Sequence, residues 1–389
     1  MKDFLFLVFS VLMFTRCASQ INSNSNKELN NSTSSPTTNF FQPSMQENSY
    51  KLDSTTIEIR SNKAKKQKYE SISKDKISRN QQLNISYKKI KSTASHQSFQ
   101  RTPSDFQQTE LDNLSNEMMR IEPNGFESNL NYYSSGNYDI EREPNLRKAQ
   151  TISPNDVEVL KFVVANAIIK GDINEAKTTL TKLNEIGALS NESISYAEDM
   201  LSSSCGNSTL ITHGYNDTYA AHYVQLENIQ SCDDNLTIIS LDFLQSGEYK
   251  KNLEKKGYVI PSKKVINTTF LKEFCEKNGH KKIAISMTLP KPYLQTISEK
   301  LYPSGIVFEY GLQPRTSIET LDGLWFKHFN RKVVFNYQTP LSNSLAANYL
   351  PMLFYLDSYY KSQRNERKCM EIEQEINRIK VKAGLKNKK

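Results

Sequence analysis

Short apolar segments that alternate with helix-like segments limit the fold of this chain more than any other feature. Residues 208–212, 236–241, 282–287 and 305–310 have the length and apolar content of strands. Residues 218–229 and 268–278 are predicted helices between them. Because alternation of strands and helices is typical of parallel sheets, residues 205–340 are predicted to form an α/β domain with a parallel, Rossmann-like sheet.

Helical patterns flank this domain on both sides. Residues 151–204 are a predicted helical lead-in whose first helix begins at Ser153-Pro154, a cap followed by proline. Residues 170–183 are similar to part of a tetratricopeptide-like hairpin, although no 34-residue array follows. Residues 341–389 are predicted to form a carboxyl-terminal helical hairpin, with a first helix ending near Lys361 and a second over 364–382.

Residues 18–150 have a different character, with runs of Asn, Ser, Thr and Gln and singly scattered apolar residues. Such a segment buries too little apolar surface to offset its chain entropy, so a long disordered polar linker is predicted. Several lysines make this segment locally basic. One interpretation is contact with anionic lipid or glycan, and the preferred one is a solvated linker. Nucleic acid is not an expected partner.

The amino terminus has the pattern of an export signal. Met1-Lys2-Asp3 precedes an apolar run over residues 4–14, and Cys17 follows shortly after. The run is too short to span a bilayer, and the cysteine position predicts a lipoprotein-type signal peptide over 1–17 with Cys17 as the lipidation site. An ordinary export signal or an uncleaved anchor are the alternatives. The expected location is a bacterial membrane, facing the periplasm, with the chain held by lipid such as palmitate.

The other four of the five cysteines are Cys205, Cys232, Cys275 and Cys369. Cys205 and Cys232 each lie three or four residues before a predicted strand, and parallel strands begin at the same edge of a sheet. A Cys205–Cys232 disulfide is therefore predicted. No cysteine or histidine spacing typical of zinc is found, and no metal or cofactor is expected.

One dense group of polar residues directly follows the first predicted strand, from His213 to Tyr219. Ligands in open α/β sheets bind at the carboxyl ends of strands, where helix amino termini offer free N–H groups. The candidate ligand-binding residues are therefore those of this turn and one at the end of the second strand: His213, Asn216, Asp217, Thr218 and Asp242. Helix capping by Asp217 or Thr218 is the favoured structural alternative. Acid–base chemistry involving His222 is the third, and no catalytic residue is assigned.

Residues 208–225 and 235–244 resemble a segment of the soluble carboxyl-terminal portion of Bacteroidetes multi-pass membrane proteins that are similar to protein O-mannosyltransferases. Pieces at 301–311 and 346–360 resemble later parts of that portion, so the resemblance covers about 205–380. It departs at His213, where asparagine is usual, and in the lack of the membrane region. The resemblance implies an exported soluble module of a Gram-negative envelope, and it gives no basis for assigning transferase activity. It is carried by these residues: Gly214, Asn216, Asp217, Thr218, Tyr219, Tyr223, Gln225, Ser240 and Leu241.

These patterns lead to two functional hypotheses. The first is a lipid-anchored, non-catalytic binding or accessory module for an envelope protein or glycan. The alternative is an envelope hydrolase or glycan-modifying enzyme that uses His213 and Asp217 at the strand ends. A mean hydropathy of −0.62 excludes a polytopic membrane protein.

Overall fold

The structure is a computed structural model that describes residues 79–94, 100–229 and 236–385. The predicted signal peptide, Cys17, the linker up to residue 78 and Cys232 lie outside the described residues. The described residues from Leu83 onward belong to one compact unit.

A five-stranded sheet forms the centre of this unit. Its spatial order is β2-β1-β3-β5-β4. Strands β1 and β2 are parallel, and so are β1 and β3, whereas β5 is antiparallel to both β3 and β4. The sheet is thus mixed, with a parallel core. The strands span Thr209–Thr212 (β1), Thr237–Ser240 (β2), Ile283–Ser286 (β3), Leu301–Ser304 (β4) and Val307–Tyr310 (β5).

The prediction of a parallel sheet is therefore wrong for β5, and β4 was not predicted. Strand β4 lies at the edge of the sheet, the position in which a strand tolerates the missing N–H of Pro303. It connects to β5 through Gly305 and Ile306. Gly305 has a φ of 67°, and a Cβ atom there would lie 2.2 Å from Ser203 Oγ, so both the turn and the packing require glycine.

Helices cover both faces of the sheet, because successive residues of a strand point to opposite sides. Ile211 and Ile285 belong to one hydrophobic core, together with residues of the helices that precede the sheet and of those between β2 and β3. Leu210 and Ala284 belong to a second core, which contains Trp325 and the carboxyl-terminal helices. The arrangement is a three-layer α/β/α unit.

The prediction that disorder continues to residue 150 is wrong. Helix α1 covers 79–94, and three more helices follow before residue 153: Asp105–Ile121 (α2), Phe126–Ser135 (α3) and Glu143–Ile152 (α4). Their scattered apolar residues have helical spacing. Leu111 and Met118 are fully buried in α2, and Leu146 of α4 packs in a small core with Val159 and Val163 of the next helix.

Three helices lead from this region into the sheet: Val157–Lys170 (α5), Ile173–Glu185 (α6) and Asn191–Ser203 (α7). The residue that caps α5 is Asp156, which accepts hydrogen bonds from two backbone N–H groups, and not Ser153, which ends α4. Helices α5 and α6 pack as a pair joined at Gly171. The finer tetratricopeptide assignment stays a prediction.

The remaining helices surround the sheet and close the chain. Leu350–Ser362 (α15) and Glu366–Lys382 (α16) pack together through Leu353, Leu356, Ile372, Ile376 and Ile379. The other bounds are Tyr215–Leu226 (α8), Gly247–Lys255 (α9), Thr268–Lys277 (α10), Lys291–Thr296 (α11), Ile318–Gly323 (α12), Lys332–Phe335 (α13) and Pro340–Ala346 (α14), with a π-helical turn over Leu324–His328.

Candidate functional site

The carboxylate of Asp217 organises the turn between β1 and α8. One oxygen, Oδ1, accepts hydrogen bonds from the backbone N–H groups of Gly214 and Thr218 at 2.7 and 2.8 Å. The other, Oδ2, accepts from the His213 N–H at 3.1 Å and from the Thr288 hydroxyl at 2.6 Å. The Thr218 hydroxyl also donates to Oδ1, at 3.5 Å. The protein therefore already fills the hydrogen-bonding capacity of this carboxylate.

The cap of α8 differs from the predicted one. Gly214 is the N-cap residue, and Asp217 lies three positions later, where its side chain reaches back to the Gly214 N–H. Neither Asp217 nor Thr218 is therefore the N-cap residue. The Asp217 carboxylate occupies N–H groups that an anionic ligand would otherwise use, which makes this turn a structural element.

The other turn residues divide into buried and exposed ones. Thr218 is buried, and its hydroxyl lies 2.8 Å from that of Thr212 and 3.5 Å from that of Ser240. These three residues tie α8 to the ends of β1 and β2. Asn216 is exposed, and His213 is half-buried and contributes its backbone N–H to the turn.

The bond between Thr288 and Asp217 joins the ends of β1 and β3. These neighbouring parallel strands lie where a doubly wound sheet places its ligand crevice. Burial raises the pKa of Asp217, and the Thr288 hydrogen bond opposes this shift.

His222 lies one turn further along α8. It is buried, and burial lowers its pKa to about 4, so the ring is neutral at pH 7. Its Nε2 has no hydrogen-bond partner, so no hydrogen bond from this atom joins His222 to His213. The predicted proximity of the two histidines therefore gains no support.

Asp242 lines a pocket of about 230 Å³ at the carboxyl end of β2, and besides desolvation the negative charge of Asp217 in the turn contributes to raising its pKa. The pocket is enclosed by parts of the chain that are far apart in sequence, and we call it the Asp242 pocket. Its lining residues come from α1, the segment after α1, the end of α3 and its following turn, α5, and the turn after β2: Lys91, Ala94, Gln100, Arg101, Pro103, Ser134, Asn137, Tyr138, Glu158, Phe162, Asp242 and Gln245.

The segment over residues 100–103 is held against the domain by two kinds of contact. Gln100 forms an isolated antiparallel bridge with Asn267, and the Arg101 N–H donates to the Ile266 carbonyl at 2.8 Å. The Arg101 guanidinium forms an ion pair with Asp242, with 3.5 Å between Nε and Oδ1. One predicted site residue thus meets a basic residue that the sequence analysis assigned to a disordered linker.

The electrostatics of the Asp242 pocket combine two acidic and two basic side chains. Desolvation raises the pKa of Asp242, and the nearby Arg101 opposes the shift. Lys91 donates to the Ser134 carbonyl at 3.0 Å. Protein atoms surround its ammonium group although part of the side chain is accessible, and this desolvation lowers the pKa of Lys91 to about 8.

Two buried polar atoms on residues of the pocket lack hydrogen bonds. Arg101 Nε makes the ion pair without hydrogen-bond geometry, and Gln245 Oε1 has no partner. Most buried polar atoms in native proteins are hydrogen-bonded, so an unpaired donor and an unpaired acceptor beside one pocket require an explanation.

The predicted disulfide can be checked for one of its two cysteines. Cys205 is disulfide-bonded, whereas Cys275 and Cys369 are free thiols. Because Cys232 lies outside the described residues, its pairing with Cys205 stays a prediction.

Within the described ranges, no group of three or more His, Cys, Asp or Glu side chains is arranged to hold a metal ion. None of the helices in this part of the chain has the length and apolar character needed to cross a membrane. No protein-family model, curated protein or solved structure matches the chain.

Proposed function

We propose that this protein is an exported, lipid-anchored envelope module that binds an envelope glycan or protein without catalysing a reaction. The export and anchoring parts of the proposal rest on the apolar run over residues 4–14 and on Cys17. The binding site in this proposal is the Asp242 pocket and not the His213–Thr218 turn.

The observation that carries the proposal is the contrast between filled and unfilled polar groups. The Asp217 carboxylate already accepts five hydrogen bonds, so it has little capacity left for a substrate or a proton relay. In the Asp242 pocket, Arg101 Nε and Gln245 Oε1 lack hydrogen bonds beside a cavity of about 230 Å³. Concave sites with a few converging polar groups are the usual location of ligands.

The anchoring part is tested in cells fed an alkyne-labelled fatty acid. The wild-type chain is expected to take up the label and to remain with the membrane fraction. The Cys17→Ser variant is expected to lose the label, and Cys369→Ser serves as a matched control that keeps it. Label on the Cys17→Ser chain, or none on the wild type, contradicts lipid anchoring at this residue.

The binding part is tested with envelope material from the producing bacterium, separated into polysaccharide and protein fractions and immobilised. The full chain in detergent is expected to be retained on one of the two fractions. The Arg101→Ala variant is expected to lose retention, whereas Arg367→Ala, which removes an arginine that is 88% exposed, keeps it. Equal retention of both variants, or no retention of the wild type, contradicts the proposed site.

A further inference from the structure

We infer that the Asp242 pocket recognises an uncharged sugar ring, such as the terminal hexose of a glycan. This inference rests on the proposed function, because it names the ligand class of the same site. It follows from the size of the pocket, its aromatic wall, its unpaired polar atoms and its balance of charge.

The size and the walls favour a single ring. A volume of about 230 Å³ lies below the ~300–1,000 Å³ typical of sites for drug-sized ligands. The rings of Tyr138 and Phe162 both line the pocket and meet edge to face, with centroids 6.1 Å apart. Such a wall offers apolar surface to the C–H groups of a sugar, while most of the other lining residues are polar.

The backbone that carries Tyr138 is unusual. Asn137 and Tyr138 have φ values of 50° and 66°, and two consecutive non-glycine residues in the left-handed region are rare. Backbone strain of this kind clusters at ligand sites, where the surrounding structure maintains it. Here it places an aromatic ring on the wall of the pocket.

The unpaired polar atoms match hydroxyl groups. Arg101 Nε–H is a donor and Gln245 Oε1 is an acceptor, and both are buried without hydrogen bonds. A hydroxyl group both donates and accepts, so it matches the chemistry of both atoms. Because neither atom is accessible to solvent, contact with a ligand requires the Arg101 and Gln245 side chains to turn toward the pocket. A carboxylate or an ammonium group satisfies only one kind.

The charges of the lining favour a neutral ligand. Lys91 and Arg101 contribute two positive charges, and Glu158 and Asp242 contribute two negative ones, so the formal charges cancel. Asp242 is already paired with Arg101 at 3.5 Å. A charged ligand gains attraction from one pair of these groups and repulsion from the other.

Titration calorimetry of the full chain with methyl glycosides of glucose, galactose and mannose tests the inference at pH 7. Saturable binding of at least one neutral glycoside is expected. Arg101→Ala and Gln245→Leu are expected to weaken it at least tenfold, Arg101→Lys to restore part of it, and the control Arg367→Ala to leave it unchanged. Glucuronate and glucosamine are expected to bind at least tenfold more weakly than the corresponding neutral glycoside.

The outcomes separate this inference from the proposed function. If no neutral glycoside binds, or if a charged sugar binds more tightly, the ligand class is wrong. The site itself then still stands if envelope material is retained in an Arg101-dependent way. If Arg101→Ala and Gln245→Leu unfold at the wild-type temperature and bind a glycoside as the wild type does, the pocket assignment is wrong. Should either variant fail to fold, Asp242→Asn provides the same comparison.

Discussion

Two polar regions lie at the carboxyl ends of the parallel strands, and they differ in how their hydrogen bonds are used. In the turn after β1, the Asp217 carboxylate accepts from three backbone N–H groups and two hydroxyls. In the pocket after β2, Arg101 Nε and Gln245 Oε1 are buried and have no hydrogen bonds, although Arg101 Nε forms an ion pair with Asp242. The first region is a structural joint between β1 and α8 whose hydrogen bonds are complete. The second contains polar atoms whose hydrogen bonds a ligand can complete.

The difference shows that density of polar residues along the sequence is a poor guide to a binding site. The polar residues of the His213–Thr218 turn lie within one short segment, and their hydrogen bonds stabilise the turn itself. The Asp242 pocket collects its polar residues from segments that are up to about 150 positions apart. The free energy of unfolding of the protein should therefore respond differently to substitutions in the two regions.

Removal of the Asp217 side chain is expected to have the largest effect. Asp217→Ala removes the acceptor of five hydrogen bonds in a buried position, and we expect the free energy of unfolding to fall by about 3–5 kcal/mol. Urea denaturation with the midpoint and slope both measured checks this value.

Asp172→Ala is the matched control for this prediction, because that carboxylate caps α6 through a single bond to the Glu175 N–H. It is expected to cost only about 1 kcal/mol. If Asp217→Ala costs no more than Asp172→Ala, the turn is not the structural joint described here.

The Thr288 hydroxyl should have a smaller effect that depends on pH. Thr288→Val removes the donor to Asp217 Oδ2 and the contact with the Ser286 hydroxyl, and we expect a loss of about 1–2 kcal/mol near neutral pH. The bond favours the charged carboxylate, because it lowers the pKa of Asp217 against the effect of burial. The loss is therefore expected to shrink as the pH is lowered and Asp217 becomes protonated in the native state.

Denaturation of both chains across a pH series measures this dependence. Ser298→Ala, which removes a hydroxyl bonded only to a nearby backbone carbonyl, is the control that should show no such trend. A loss that grows on acidification has the wrong sign for a hydrogen bond to the carboxylate.

The Lys91 side chain should also make stability depend on pH, through a lowered pKa of a basic group. Desolvation lowers its native pKa to about 8, below the ~10.4 of an unfolded chain, so the native state releases this proton first as the pH rises. The unfolded state then binds more protons, and stability rises with pH in the window between the two values. We expect the wild type to gain about 2 kcal/mol at most, relative to Lys91→Met, between pH 7 and pH 9.5.

Parallel denaturation series of the two chains give this difference. Lys251→Met, which removes a lysine that is 70% exposed, is the control and should follow the wild type. If Lys91→Met and the wild type change in parallel with pH, the lysine is as well solvated as one on the surface.

The sequence predicted the parallel core of the sheet, because its β-strands are short apolar runs bounded by polar turns. It missed β4, since Pro303 is unusual inside a strand and only the edge position makes it tolerable. It also missed the helices over 105–152, where few apolar residues are present. Leu111 and Met118 are seven residues apart, which is two helical turns, and that spacing was the available signal.

The candidate site was harder to predict than the fold. Asp242 was identified from its position at the end of a strand, which is a local property. Lys91 and Arg101 could not be connected with it, because the pocket depends on how α1 and the segment after it pack on the domain. Single-sequence patterns report the period of a helix but not which distant segment covers a strand end.

The bridge between Gln100 and Asn267 has a consequence for how the pocket can be emptied. A molecule that contacts both Arg101 and Asp242 bridges two separate segments of the chain. It therefore binds tightly only while the segment over residues 100–103 stays docked on the domain. Occupancy and docking are therefore linked quantities that strengthen each other to the same extent. Deuterium uptake at the Arg101 N–H, which donates to the Ile266 carbonyl, would then slow in the presence of such a molecule. Detachment of the segment over residues 100–103 would release the molecule from the pocket.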